Sequence, residues 1–258
     1  MKIICPICKS ELIKKQKSYI CFNKHNFDMS KSGYLNLTIN KSNTGDNKEM
    51  VNSRTLFLET DSYLPLKDRL NKIINSYNKS SLLDLACGDG YYTKSFNIKN
   101  KFGIDLSKEA ITYASKKDKS TFYLISSIFD LPFLDDSFDI VTTIFAPISK
   151  DEIYRVLNKN GLFILVTPGK NHLFNLKKII YDKPYLNKED KINIKNLTLI
   201  KTEKLEYSFK LNNNDSIKDL FTMTPYYYKT SKKDASKLDN INNLTINASF
   251  IISIYQKK

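Results

Sequence analysis

Four side chains near the start of the chain have the types and spacing of a metal site. Cys5-x2-Cys8 is followed after twelve residues by Cys21-x3-His25. Each short pair can grip one edge of a tetrahedral ion from a tight turn while the intervening residues fold back as a hairpin, which is the pattern of zinc held by Cys3His. Such a set is closed and leaves no coordination position for a substrate. A redox CxxC pair and unliganded core cysteines are the competing readings. His25 is one of 2 histidines in the chain and lies at ligand spacing from Cys21. A unit below roughly 40 residues buries too little core to fold alone, so the metal supplies its folding free energy.

A second group of residues has the form of a ligand-binding turn. Leu82-Leu83-Asp84-Leu85-Ala86-Cys87-Gly88-Asp89-Gly90-Tyr91-Tyr92-Thr93 runs from an apolar strand through a glycine turn towards a helix. Gly88 and Gly90 let the backbone bend sharply and approach a ligand. Thr93 stands where a G-x-G-x-x-G dinucleotide fingerprint has its third glycine, so the turn is of another kind. Phe102-Gly103-Ile104-Asp105 ends a further strand with a carboxylate 21 residues after Asp84, where it can accept both hydroxyl protons of a ribose. Ser107 caps the next helix, with Glu109 in its first turn. Cys87 has no base near it in sequence and reads as a small packing residue.

The elements that hold these residues follow from periodicity. Apolar runs at 81–86, 102–106, 121–126, 138–145 and 162–167 alternate with helical stretches at 91–97, 107–117, 150–158 and 171–181. That alternation predicts βαβ units and a mostly parallel sheet. Leu56, Phe57, Leu64, Leu66, Leu70, Ile73 and Ile74 predict one or two preceding helices, the second opened by Pro65. Residues 40–53 are polar and read as a linker. Ala248 to Tyr255 reads as a last strand, antiparallel to its neighbours. Three units result: a zinc-binding module at 1–38, a linker and helical segment at 39–80, and an α/β domain at 81–258.

Net charge is +14, with lysine outnumbering arginine 38 to 3. Residues 1–40 carry 7 basic and 2 acidic groups, residues 41–169 carry 17 and 16, and residues 170–258 carry 17 and 9. A codon bias towards lysine would spread the excess evenly, so its concentration on the flanks favours an anionic partner such as nucleic acid, with a solvated surface as the plain alternative. The chain has no early apolar stretch of a signal peptide and no run of about eighteen apolar residues. A cytoplasmic protein with no membrane partner is expected.

The form D-x-x-C-G-x-G at Asp84 to Gly90 resembles motif I of the class I S-adenosylmethionine (SAM) dependent methyltransferases, and Leu131-Pro132-Phe133-Leu134-Asp135-Asp136-Ser137-Phe138-Asp139 resembles the LPF-x-D-x-SFD segment before their fourth strand. The resemblance implies a Rossmann-like fold with a mostly parallel seven-stranded sheet, and SAM as cofactor against Asp84, Gly88, Asp89, Gly90 and Asp105. Phe145-Ala146-Pro147 stands at the end of strand four, where such enzymes place substrate-facing residues; an apolar strand end is the plain reading.

From Cys5 to about Tyr228 the chain resembles the 23S rRNA guanine-N1 methyltransferases. The matching stretches are the CPIC knuckle, Tyr19-Ile20-Cys21, His25-x-Phe27-Asp28-Met29, Gly33-Tyr34-x-Asn36-Leu37, Gly45-Asp46, Cys87 to Thr93, Ala146-Pro147, Thr167-Pro168-Gly169-x-x-His172-Leu173 and Met223-Thr224-Pro225. This resemblance implies zinc on Cys5, Cys8, Cys21 and His25, SAM contacts at Tyr63, Gly88, Asp89 and His172, and a guanine N1 in a 23S rRNA hairpin as target. Ala86 replaces a glycine common in SAM enzymes, and Ser126 and Ser127 replace the acid often found after strand three. A methyltransferase of a quinone precursor and a non-catalytic zinc RNA-binding protein are the competing functions; the first has no use for a knuckle and basic flanks, and the intact Gly88, Gly90 and Asp105 argue against the second. Whether the chain forms a homodimer stays open.

Overall fold

The computed structural model describes residues 2–39, 46–189 and 192–258. Gly45 and most of the polar stretch before it lie outside the described residues. Three short strands open the chain, β1 (Leu12–Lys15), β2 (Ser18–Cys21) and β3 (Asn26–Asp28), paired antiparallel with Leu12 opposite Cys21 and Ser18 opposite Asp28. The two-residue β4 (Leu35–Asn36) follows.

The main sheet is built from β5 (Ser81–Leu85), β6 (Asn100–Asp105), β7 (Thr121–Ile125), β8 (Phe138–Ile144), β9 (Leu157–Pro168), β10 (Leu197–Leu211) and β11 (Leu244–Lys257). Its order is β10-β11-β9-β8-β5-β6-β7-β4. Strands β5 to β9 pair in parallel, and β11 runs antiparallel to both β9 and β10. The expected seven strands are therefore present, and β4 adds an eighth at the edge, parallel to β7. Strand order reverses at β5, which lies between β8 and β6, and the crevice outside its C-terminal end is where such sheets bind ligands.

Helices α1 (Lys48–Leu58), α2 (Leu64–Asn75), α3 (Lys108–Lys117), α4 (Lys150–Val156), α5 (Phe174–Ile180) and α6 (Asn214–Thr222) flank the sheet. In α2, Leu66, Leu70, Ile73 and Ile74 face the core as their spacing predicts, whereas Leu56 of α1 is exposed. The N-cap of α3 is Ser107, whose hydroxyl accepts from the Ala110 N–H at 3.3 Å. Three expectations need correction. The linker reading fails from Lys48 onward: Asn47 caps α1 by accepting from the Met50 N–H at 2.9 Å, and Met50 and Val51 are buried. The helix expected at 91–97 is one 3-10 turn at Thr93–Ser95, held down by the Thr93 hydroxyl on Asp84. Residues 182–247, where periodicity assigns no element, contain the fifteen-residue β10.

The N-terminal unit shares its core with the sheet. Cys5, Leu12, Cys21, Leu35 and Leu37 pack in one cluster with Leu124, Leu131 and Phe133. Ile4 donates its N–H to the Pro132 carbonyl at 2.9 Å, and Ile3 bridges to Phe133. The LPF segment between β7 and β8 is thus the seat of the zinc-ligand unit.

Candidate cofactor cleft and metal centre

The ligand atoms of Cys5, Cys8, Cys21 and His25 lie within 4.8 Å of one another. His25 Nδ1 is 3.5 Å from Cys5 Sγ and 3.4 Å from Cys21 Sγ, and Cys8 Sγ is 3.6 Å from Cys21 Sγ. Bond lengths of about 2.3 Å to sulfur and about 2.0 Å to nitrogen at tetrahedral angles require ligand separations of about 3.5–3.8 Å. The four residues therefore fit zinc. The Ser10 hydroxyl and backbone N–H beside Cys8 lower its thiol to about 5, favouring the thiolate that zinc requires.

The glycine turn lies at the C-terminal end of β5. Asp84, buried in the strand, accepts from the hydroxyls of Thr93 at 2.5 Å and Thr142 at 2.7 Å, so it ties the turn to β8. Burial pushes its carboxyl up to about 6, against the pull of those hydroxyls. Gly88 and Gly90 have φ of +57° and +76°. Ala86 takes φ of +53°, so the alanine that replaces a glycine carries the left-handed backbone with it. Asp105 accepts from the Gly88 N–H at 2.9 Å and the Ser107 N–H at 2.8 Å, and burial raises its carboxyl against those bonds. Asp89 accepts from the Thr55 hydroxyl at 2.9 Å, which pins α1 across the turn. Burial and the carboxylates of Asp105, Asp84 and Asp89 push the Cys87 thiol well up, so it stays protonated and inert.

A cleft of about 660 Å³ opens over this turn, walled by Asp105, Ser127 and Phe129 at one end and by Tyr63, Tyr92 and Phe145 at the other. The Tyr92 hydroxyl is buried with no partner among the described residues, which leaves a donor for a ligand. A second cleft of about 500 Å³ adjoins it, lined by Tyr63, Phe145, Ala146, Thr167, His172, Met223 and Thr224. The two share Asp46, Arg54, Tyr63, Phe145, Ala146 and Met223.

The structure brings most of the expected residues to one place. Asp84, Gly88, Asp89 and Asp105 line the first cleft, His172 the second, and Tyr63 both; Gly90 turns the chain behind them. Phe145 and Ala146 border both clefts and Pro147 the first. The zinc ligands form a separate centre beneath the sheet edge. Sequence reasoning passes over the roles of Arg54, Thr55 and Asp46. Arg54 forms an ion pair with Asp46, and the Ser107 hydroxyl donates to the Asp46 carbonyl at 2.8 Å. A usable signal exists, since Arg54 is one of 3 arginines in a lysine-dominated chain, and the other two, Arg69 and Arg155, also sit in ion pairs.

Residues 3–39 match the family described as RlmA, N-terminal, a zinc ribbon, and residues 83–165 match the family described as Methyltransferase domain. Over 273 aligned residues, 98% of this chain and 96% of the relative, the chain is 30% identical to YxjB of Bacillus subtilis (strain 168), which its name assigns to the 23S rRNA (guanine-N(1)-)-methyltransferases. The chain belongs to that family. A second member, the 23S rRNA (guanine(748)-N(1))-methyltransferase of Streptomyces fradiae, is 28% identical over 67% of this chain and 65% of its own length. Among solved structures, the YcgJ protein of Bacillus subtilis superposes with a TM-score of 0.49 at 18% identity, covering 73% of this chain and 97% of that one. As a member of the family the chain is a SAM-dependent methyltransferase with a Cys3His zinc ribbon. Among the described residues no helix is long and apolar enough to cross a membrane.

Proposed function

We infer that this chain transfers the methyl group of SAM to N1 of a guanine in 23S rRNA. The observation that carries the reading is one chain in which an RlmA-type zinc ribbon is seated on a methyltransferase core, matched from end to end by a relative of that name. SAM, when bound, supplies an already activated methyl group, so the chain's task is to orient two reactants and exclude water. Gly88 and Asp89 would take its methionine end, Asp105 the ribose hydroxyls, and Tyr63 and His172 would close the far side.

Guanine N1 is occupied in Watson–Crick pairing, so the target has to lie in a loop or swing out of its helix. The second cleft, with Phe145 and Ala146 at its boundary with the first, would receive it. On the ribbon, Lys14, Lys15, Lys17 and Lys24 are exposed and suited to phosphates. Phe22 is 91% exposed and could stack a base, while Tyr19 packs edge-on against Phe122 and is engaged in the core.

Mass spectrometry of nucleosides from 23S rRNA of cells with and without the gene tests the reading. Loss of 1-methylguanosine on deletion, and its return with the wild-type chain, is expected. An unchanged 1-methylguanosine content, with a methylated quinone precursor lost instead, would support the small-molecule alternative. Failure to bind SAM would favour the non-catalytic one.

A further inference from the structure

We propose that Asp46 accepts the N1 proton of the target guanine, with Arg54 as its positioning residue. The proposal rests on the function inferred above. Methylating guanine N1 requires that its proton leave, and the acceptor has to stand where cofactor and base meet. Among the described residues, the side chains that border both clefts and titrate are Asp46, Arg54 and Tyr63. Arginine does not give up its proton and so cannot accept one, and burial raises the Tyr63 phenol, which keeps it protonated. Asp84, Asp89 and Asp105 border the cofactor cleft alone and are engaged in the glycine turn. His172 is held between the Ser249 N–H at 3.4 Å and the Tyr63 hydroxyl at 3.3 Å, so both ring nitrogens are committed.

The geometry of Asp46 suits the role. Its Oδ2 is paired with Arg54 Nη1, and its carbonyl is fastened by the Ser107 hydroxyl at 2.8 Å. Among the described residues Oδ1 receives no hydrogen bond, and the side chain is 30% exposed. The charged groups facing it are Arg54 from α1 and Asp105 from the end of β6.

In the reaction, N1 gives its electron pair to the methyl carbon to form the new bond, while the methyl–sulfur bond breaks and its bonding pair stays on sulfur, which becomes a neutral thioether. Positive charge gathers on N1 as the bond forms, its proton becomes acidic, and Oδ1 takes it; the neutral carboxylic acid afterwards releases it to solvent. The same carboxylate selects the base, because adenine would turn a bare N1 lone pair towards it and meet repulsion.

Asp46→Asn keeps the shape and the bond to Arg54 but cannot accept a proton. Calorimetric SAM affinity should stay within a few-fold of wild type. Single-turnover methylation of 23S rRNA should fall by roughly 10²- to 10⁴-fold. The residual rate should rise about tenfold per pH unit, the behaviour of a step that needs prior loss of one proton. Filter binding without SAM supplies a readout apart from activity: the variant should bind unmethylated 23S rRNA more weakly than wild type does, and bind 23S rRNA already methylated by the wild-type enzyme equally well. Asp46→Glu, which retains a carboxylate, should be slow yet keep the wild-type pH profile. A wild-type rate and profile in Asp46→Asn, a loss accounted for by SAM affinity, or the Asn-type profile in Asp46→Glu each overturn the assignment while leaving the enzyme's product intact. Absence of 1-methylguanosine from the wild-type reaction overturns the function and the Asp46 role together.

Discussion

Tyr63 and His172, 109 residues apart in the chain, meet at 3.3 Å between hydroxyl and Nε2 at the boundary of the two clefts. Nδ1 of His172 accepts from the Ser249 backbone N–H at 3.4 Å, so the proton of the neutral imidazole sits on Nε2 and is donated to the Tyr63 oxygen. The phenol is then left to donate its own proton outward into the clefts it lines. Phe145 stacks on the imidazole with centroids 5.9 Å apart and an interplanar angle of 13°. Residues from the start of α2, the end of β8 and the turn after β9 thereby act as one wall.

That wall has a pH signature. Burial, with Lys177 nearby as the second cause, lowers the His172 pKa from 6.5 to about 3. Between those values the unfolded chain binds a proton that the folded chain refuses, so the contribution is present above pH 6.5 and is lost as pH falls towards 3. From pH 7.5 to 5 the wild type should lose about 2 kcal/mol more than His172→Gln, since one fully withheld proton is worth about 1.4 kcal/mol per pH unit. Asp84, raised to about 6, shifts stability in the opposite direction over part of this range, but it does so in both proteins and cancels in the difference. Urea unfolding at the two pH values measures it, and parallel losses in the two proteins would rule it out.

Removing the metal should be felt well beyond the ribbon. The zinc ligands Cys5 and Cys21 belong to the cluster that includes Leu124 and Phe133, and β4 completes the sheet edge beside β7. A chelator should therefore lower the thermal midpoint of the whole chain, by roughly 2–4 °C for each kcal/mol lost, and added zinc should restore it. RNA methylation should fall with it, whereas SAM affinity measured below the new midpoint should hold within a few-fold. Calorimetry that finds the main transition unmoved would mean that the ribbon melts on its own and contributes nothing to the core.

The legible parts were those in which function and spacing coincide. Cys5, Cys8, Cys21 and His25 lie on two tight turns, and Asp84, Gly88, Gly90 and Asp105 on strand ends, so short sequence windows contain them whole. The helix signal at Leu56 and Phe57 does belong to α1, but its polar start reads as linker because what fixes it is tertiary: Ser107 donates to the Asp46 carbonyl, Thr55 reaches across to Asp89, and Arg54 pairs with Asp46. In β10 the signal was present, since Leu205, Tyr207, Phe209 and Leu211 alternate with Lys204, Glu206, Ser208 and Lys210. Its exposed start at Leu199 and Ile200 obscured it. Nothing in the sequence announced that the LPF segment would carry the ribbon, because that contact is backbone to backbone at Ile4 and Pro132.

The two turn glycines should separate ligand contact from packing. A Cβ on Gly88 would come no closer than 3.6 Å, to Arg54 Nη1, whereas one on Gly90 would lie 2.5 Å from the Tyr123 hydroxyl and 3.1 Å from Ala114 Cβ. Both have positive φ, which costs an alanine about 1 kcal/mol, and Ala86 at φ of +53° shows that this loop tolerates that cost once already. Gly88→Ala should therefore be destabilised by about 1 kcal/mol while losing tenfold or more in SAM affinity, because the added methyl stands on the cleft side under Arg54. Gly90→Ala should lose a further 1–3 kcal/mol or so from overpacking, since Tyr123 is buried and its hydroxyl is tied to Asp118 at 3.2 Å. Adding Tyr123→Phe removes the nearest atom and should recover much of the Gly90→Ala loss, because the remaining approaches are 3.1 and 3.2 Å. Chemical denaturation and calorimetry on the four proteins separate the terms. Wild-type SAM affinity in Gly88→Ala would mean that the cofactor does not approach this part of the turn, and no rescue by Tyr123→Phe would mean that backbone strain alone constrains Gly90.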